Sequence, residues 1–130
     1  MPPQILPATI VEFISRHIQS VEQLEVLVLL HRDPEMCWSA KRVYDVLLST
    51  LQSVQRWLDD LTRRGLIQKC PDEVDGYQAS PDETIRSEVA QLAEWYRNTP
   101  VRVIEAIYRR ESSAAQSFAD AFKLNNPDKP

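Results

Sequence analysis

A chain of 130 residues with 19 acidic and 15 basic side chains carries a net charge of −4. That length supports one domain able to bury its own core without metal or disulfide staples, and 43% hydrophobic with 26% charged residues is an ordinary soluble globular mix. Only two glycines occur, Gly65 and Gly76, which excludes glycine-rich phosphate loops. The most apolar run, Leu24 to Leu30, is interrupted by Glu25 and is too short to span a bilayer. The opening residues, MPPQILPATIVEF, have neither the basic start nor the long apolar run of a secretory signal. Cys37 and Cys70 are therefore expected as free thiols in a reducing cytoplasm.

In chain order, the first predicted element is a helix from Thr9 to His17, with Ile10, Val11, Phe13, Ile14 and Ile18 as its apolar face and Pro7 near its start. Ser20 then reads as an N-cap with Gln23 as its capping-box partner. The helix that follows carries Leu24, Val26, Leu27, Leu29 and Leu30, a face wide enough for a central position, and Pro34 ends it. Ser39 caps a short helix, Ala40 to Leu48, with Val43, Tyr44, Leu47 and Leu48 expected inward and Trp38 as a hydrophobic staple. Ser49 or Thr50 caps the next helix, Ser49 with Gln52 as a capping box. Its apolar positions are Leu51, Val54, Trp57, Leu58 and Leu61, and Gly65 closes it.

Two short strand-like runs flank Pro71 to Gly76, which predicts a small hairpin. Pro81 opens a further helix with Asp82 and Glu83 in its first turn, where acids suit the helix dipole. Its stripe is Ile85, Val89, Leu92, Ala93, Trp95 and Tyr96. Thr99-Pro100 punctuates that helix and starts another through Val101, Val103, Ile104, Ile107 and Tyr108. A last short helix with Phe118 and Phe122 precedes a frayed tail. The chain thus divides into an N-terminal helical extension (1–19), a core (20–80), C-terminal helices (81–124) and a tail (125–130). There is no internal repeat.

Charge is distributed unevenly. Residues 39–70 hold six bases and three acids, residues 71–96 one base and seven acids, and residues 97–110 four bases and one acid. A globally acidic chain lacks broad attraction for phosphate, but a local basic segment can supply it.

Residues 20 to about 78, and above all "SVQRWLDDLTRRGLI" (Ser53 to Ile67), resemble a winged helix-turn-helix domain of the type found in multiple-antibiotic-resistance regulators (MarR) of bacteria. The resemblance implies a mainly α fold with a small β-hairpin wing and extra terminal helices. In that family the third helix lies in the major groove of duplex DNA. Carried over residue by residue, it places Gln52, Ser53, Gln55 and Arg56 outward toward base edges, where arginine pairs with guanine and glutamine with adenine. Ser39 and Thr50, at helix starts, suit phosphate oxygens, and Lys41, Arg42, Arg63 and Arg64 are placed to meet the backbone. The expectation is a cytoplasmic, sequence-specific transcriptional regulator.

Two acidic features pull the other way. Asp59 and Asp60 are expected on or beside the exposed face of the same helix, and the wing tip carries Asp72, Glu73 and Asp75. Family wing tips are often basic, so this wing is expected to stay away from DNA, or to face a protein partner as part of an interaction module. The stripe Val89, Leu92, Trp95, Tyr96, Val101, Ile104 and Ile107 exceeds the needs of a three-helix core and is expected to pair two copies into a homodimer.

Catalysis and metal binding find no support. His17, His31, Cys37 and Cys70 lack metal-ligand spacing, adjacent Asp59 and Asp60 point about 100° apart on a helix, and no nucleophile or nucleotide motif occurs. A non-enzymatic protein without cofactor or metal is expected. Trp57, Trp95 and Tyr96 are expected in the core rather than in a ligand pocket.

Overall fold

A computed structural model describes residues 5–109 of the chain. The described part is mainly helical, with a small three-stranded antiparallel sheet. The order is α1 (Ala8–His17), α2 (Val21–Arg32), β1 (Trp38–Ser39), α3 (Ala40–Leu47), α4 (Leu51–Arg63), β2 (Ile67–Lys69), β3 (Gly76–Ala79) and α5 (Glu83–Asn98). A sixth helix, α6, covers residues 100–109. The expected helix around Phe118 and Phe122 lies outside the described residues.

The helix starts follow from local chemistry. The Ser20 hydroxyl accepts the backbone N–H of Gln23 at 3.0 Å, Ser39 that of Arg42 at 3.2 Å, and Thr50 that of Ser53 at 3.1 Å. Asp82, rather than a first-turn residue, is the N-cap of α5 and accepts from Thr84 and Ile85. Each cap satisfies donors that a helix start leaves without intrahelical partners.

Thr50, not Ser49, caps α4. The Ser49 hydroxyl is instead donated to the Glu22 carboxylate on α2. At the other end of α4, Gly65 adopts φ +77°, the Leu66 N–H reaches the Leu61 carbonyl and the Gly65 N–H that of Thr62. That pair of bonds is the Schellman closure glycine permits.

The core forms where α1, α2 and α4 meet the sheet and α5. Leu24, Leu27, Leu30, Val43, Leu58, Leu61, Leu66, Val89 and Leu92 are buried in it. The wide face of α2 is central, as its pattern required: it packs on α3, α4, α5 and β3. Several positions expected on apolar faces are not buried, Leu51 at the start of α4 and Tyr108 on α6 among them. Val11 lies off the buried face of α1 and is exposed. Leu48 is 81% exposed, because it takes the left-handed conformation (φ 54°) that ends α3 and swings its side chain into solvent.

The hairpin β2–β3 forms as expected, with Ile67 opposite Ala79 and Lys69 opposite Tyr77. A third strand, β1, was not anticipated. Trp38 pairs with Tyr77 and Ser39 with Gly76, so β3 is central in the order β1-β3-β2. Two residues carry no alternation from which a strand could be read.

The sheet also corrects the reading of the cysteines. Cys37, just before β1, and Cys70, just after β2, are joined by a disulfide across the first residue of β3, with Cα atoms 6.2 Å apart. A separation of 33 residues hides the fact that two strands on either side of β3 bring the thiols together. Gly76 sits beneath the bridge, where an added Cβ would collide with the Cys37 sulfur. The bridge sets a first test. Alkylation of the denatured, unreduced protein should add nothing by mass, and alkylation after reduction should add two groups. Adducts on the unreduced chain would show that Cys37 and Cys70 stay free.

Candidate nucleic-acid interface

The outer face of α4 is set by what its other faces hold. Val54, Trp57, Leu58 and Leu61 are buried, which leaves Gln52, Arg56, Asp59 and Arg63 exposed. Gln52, Arg56 and Arg63 share an open groove of about 580 Å3 with Gln19, Gln55 and Asp59. The Arg56 guanidinium lies 4.9 Å from the centroid of the Trp57 ring, a cation–π contact that holds it along the helix without neutralising it.

The start of α4 is anchored to α2. Glu22 accepts the Ser49 hydroxyl and, at 2.8 Å, the Ser53 hydroxyl. The sheet is anchored to the same helix. The Tyr77 hydroxyl donates to Asp59 Oδ1 at 3.0 Å, while Gln55 Nε2 donates to both Tyr77 and Asp59 at 2.9 Å. Burial raises the Tyr77 pKa, so the hydroxyl keeps the proton it donates.

Asp60 departs most from expectation. It is 7% exposed rather than on the open face. Its carboxylate accepts Gln23 Nε2 at 2.8 Å, Arg63 Nη2 at 2.7 Å and Arg64 Nε at 2.8 Å. Gln23 is itself fully buried, receiving the Gln19 N–H at 2.5 Å and donating to the His17 carbonyl at 2.9 Å. Arg64 also donates to the Arg16 carbonyl at 3.1 Å. The buried acid thus ties α4 to the α1–α2 connection. Its spacing of three and four residues from two arginines was the available signal.

The candidate DNA-contact residues therefore separate. Ser53 and Gln55 are engaged inside the chain, and the Arg64 side chain, 20% exposed, is spent on Asp60 and Arg16. The hydroxyls of Ser39 and Thr50 are occupied as caps. Gln52, Arg56, Lys41, Arg42 and Arg63 remain at the surface. Lys41 pairs with Asp45 at 3.3 Å, Arg42 lies over Trp38, and Arg63 keeps 75% of its side chain exposed while touching Asp60. Lys69, whose ammonium lies 5.8 Å from the Tyr77 ring centroid, is a further exposed cation that the sequence reading did not single out.

The expected dimer stripe also divides. Val89 and Leu92 are buried within the chain itself, since α5 packs on α1 and α2, and Ile107 on α6 is buried as well. Trp95, Tyr96 and Ile104 are half-buried, and Val101 is exposed.

Among the described residues, no group of three or more His, Cys, Asp or Glu side chains could hold a metal, and no helix is long and apolar enough to cross a membrane. His31 Nε2 lies 2.8 Å from the Leu66 carbonyl. Burial and the charge of Arg86 lower the His31 pKa against the raising effect of that bond, and burial with Arg64 and Arg16 lowers His17. The chain matches no protein-family model, no curated protein and no solved structure.

Two outcomes follow from this geometry. Asp60→Ala strands the fully buried Gln23 amide and the Arg64 guanidinium, so urea denaturation should show a loss of about 2–3 kcal/mol; a change under about 0.5 kcal/mol would mean the network contributes nothing. For the histidines, a folded pKa below the ordinary 6.5 means the unfolded chain binds more protons near that pH. Their contribution is complete above pH 6.5 and is lost as pH falls through the folded pKa. The melting temperature should fall as the solution is acidified from neutrality, and His31→Gln should flatten the decline. A melting temperature that rises on acidification contradicts the sign.

Proposed function

We propose that residues 20–80 form a winged helix-turn-helix domain that binds duplex DNA as a transcriptional regulator of the MarR type, with α4 in the major groove. The observation that carries the reading is the α3–α4 pair. Residues 48–50 join the two helices, Glu22 anchors the start of α4 through two serine hydroxyls, and Gln52, Arg56 and Arg63 lie exposed along one groove. A helix so held presents a fixed face, and a fixed face is what base-edge recognition needs. The β2–β3 hairpin that follows these helices, completed by β1 from before α3 in the order β1-β3-β2, supports the assignment of β2–β3 as the wing. Lys41, Arg42, Arg63 and Lys69 supply cations around Arg56 for phosphate contact. Any pairing of two reading helices through α5 and α6 falls to Val101, Trp95, Tyr96 and Ile104, the members of the apolar stripe left at least partly accessible.

A second reading, a protein-interaction module, is favoured by one observation. The wing tip exposes Asp72, Glu73 and Asp75 around Val74, which is 88% exposed. That tip repels phosphate and suits a basic protein surface.

The two readings separate in a titration of wild type and variants against a selected site and a random duplex, at low and high salt. Arg56 is exposed, so Arg56→Ala should change stability by under about 0.5 kcal/mol. It should weaken binding to the selected site by about 1–3 kcal/mol and relax preference at one base position. Arg63→Ala should weaken binding to all sequences alike and reduce the salt dependence. Wild type without duplex affinity at low salt would end the DNA reading in favour of the interaction module.

A further inference from the structure

Two surfaces outside the α4 face complement each other in charge and in the placing of apolar residues. The first is a cleft of about 520 Å3 between α2 and α5. Val28 and Val89 form its floor with Ala93 and Tyr96, and Arg32 and Arg97 stand exposed on its rim. Arg86 also lines it, held in place by the Ser80 carbonyl at 2.7 Å and by Glu35 at 3.4 Å. Its lining holds three guanidinium groups and the Glu94 carboxylate; Arg86 is already paired with Glu35, so the free positive charge is that of Arg32 and Arg97, in a chain whose net charge is −4. Arg32 and Arg97 make no ion pair among the described residues.

The second surface is the β2–β3 connection. Asp72, Glu73 and Asp75 make no ion pair among the described residues either, and Val74 between them is 88% exposed. The base of this tip is rigid. Cys70, next to Pro71, is bridged to Cys37, and the Cys70 N–H reaches the Gly76 carbonyl at 2.9 Å. A loop tied at its base has less freedom to lose on docking than an untethered one.

We propose that the acidic tip of one copy of the chain docks into the arginine-rimmed cleft of a second copy. Val74 enters the apolar floor, while Asp72 and Asp75 meet Arg32 and Arg97. The cleft needs an occupant that is apolar at its centre and acidic at its edges, and the tip has that pattern. Both surfaces belong to the same polypeptide and so are always present in equal amounts. The contact leaves the exposed α4 residues free, and because it occupies Tyr96 it competes with any pairing of two copies through that part of α5.

The test uses the full chain without DNA. Sedimentation velocity is followed from about 5 to about 300 µM, the range in which interfaces below about 1,200 Å2 equilibrate. Wild type should sediment faster as concentration rises, and less so at high salt. The Asp72→Lys/Asp75→Lys and Arg32→Glu/Arg97→Glu variants, altered only at exposed positions, should keep the wild-type thermal melt and each remain monomeric. Their equimolar mixture should associate again, because a basic tip then meets an acidic cleft. Val74→Ser, which leaves the charge unchanged, should weaken association several-fold. A wild type that is monomeric throughout, association that survives in both charge variants, or a mixture that fails to recover would each overturn the proposal. The Arg56 titration is unaffected by any of these outcomes, so the two ideas fail separately.

Discussion

The described fold depends on one buried carboxylate. Asp60 sits among Gln23, Arg63 and Arg64, and through them α4 is joined to α2 and to the carbonyls that end α1. A carboxylate with so little exposure is tolerated only when its oxygens are filled, and three donors fill them. Gln23 is satisfied in turn: its carbonyl takes the Gln19 N–H and its amide gives both hydrogens. Apolar packing of Leu24, Leu27, Leu58 and Leu61 could accept several small shifts of α4. A network of directional bonds accepts fewer, because each shift leaves a buried polar group unpaired.

Two lesser anchors act on the same helix. Glu22 holds Ser49 and Ser53 at its start, and Tyr77 holds Gln55 and Asp59 on its sheet-facing side. Every hydroxyl or amide so used is withdrawn from the surface. The exposed polar face is reduced to Gln52, Arg56, Asp59 and Arg63, with Lys41, Arg42 and Lys69 nearby. The acids near it do not all oppose an anionic ligand to the same degree. Asp60 is compensated by two arginines and Asp59 is hydrogen-bonded by Tyr77 and Gln55, whereas Asp72, Glu73 and Asp75 make no ion pair at the tip of the β2–β3 connection among the described residues. This separation of charge along one molecule is the physical basis for proposing α4 as a nucleic-acid face and the tip as the partner of a cationic protein surface.

The sheet is small, and its central strand is bounded on both sides by covalent chemistry. Cys37 and Cys70 lie across the beginning of β3, and Gly76 leaves the room their bridge needs. With ladders of only two and three residue pairs, such a short sheet gains much of its definition from the bridge and from packing on α2.

Local order was legible from the sequence alone. The periodic faces of α1, α2, α4 and α5, the caps at Ser20 and Ser39, the Gly65 closure, the Thr99-Pro100 break and the β2–β3 hairpin all depend on residues within a few positions of one another. Helix period, capping and turn chemistry are short-range, so they leave a readable pattern. What the sequence left open was decided between distant positions. The Cys37–Cys70 bridge spans 33 residues, the Gln23–Asp60 bond 37, and β1 exists only because β3 offers it an edge. Arg64 and Ser53 look like surface cation and reading residue until α1 and α2 arrive to claim them, and Val89, Leu92 and Ile107 look like an open stripe until the chain's own core covers them. Burial and pairing between distant segments are not written in any local spacing, and only the tertiary structure could assign them.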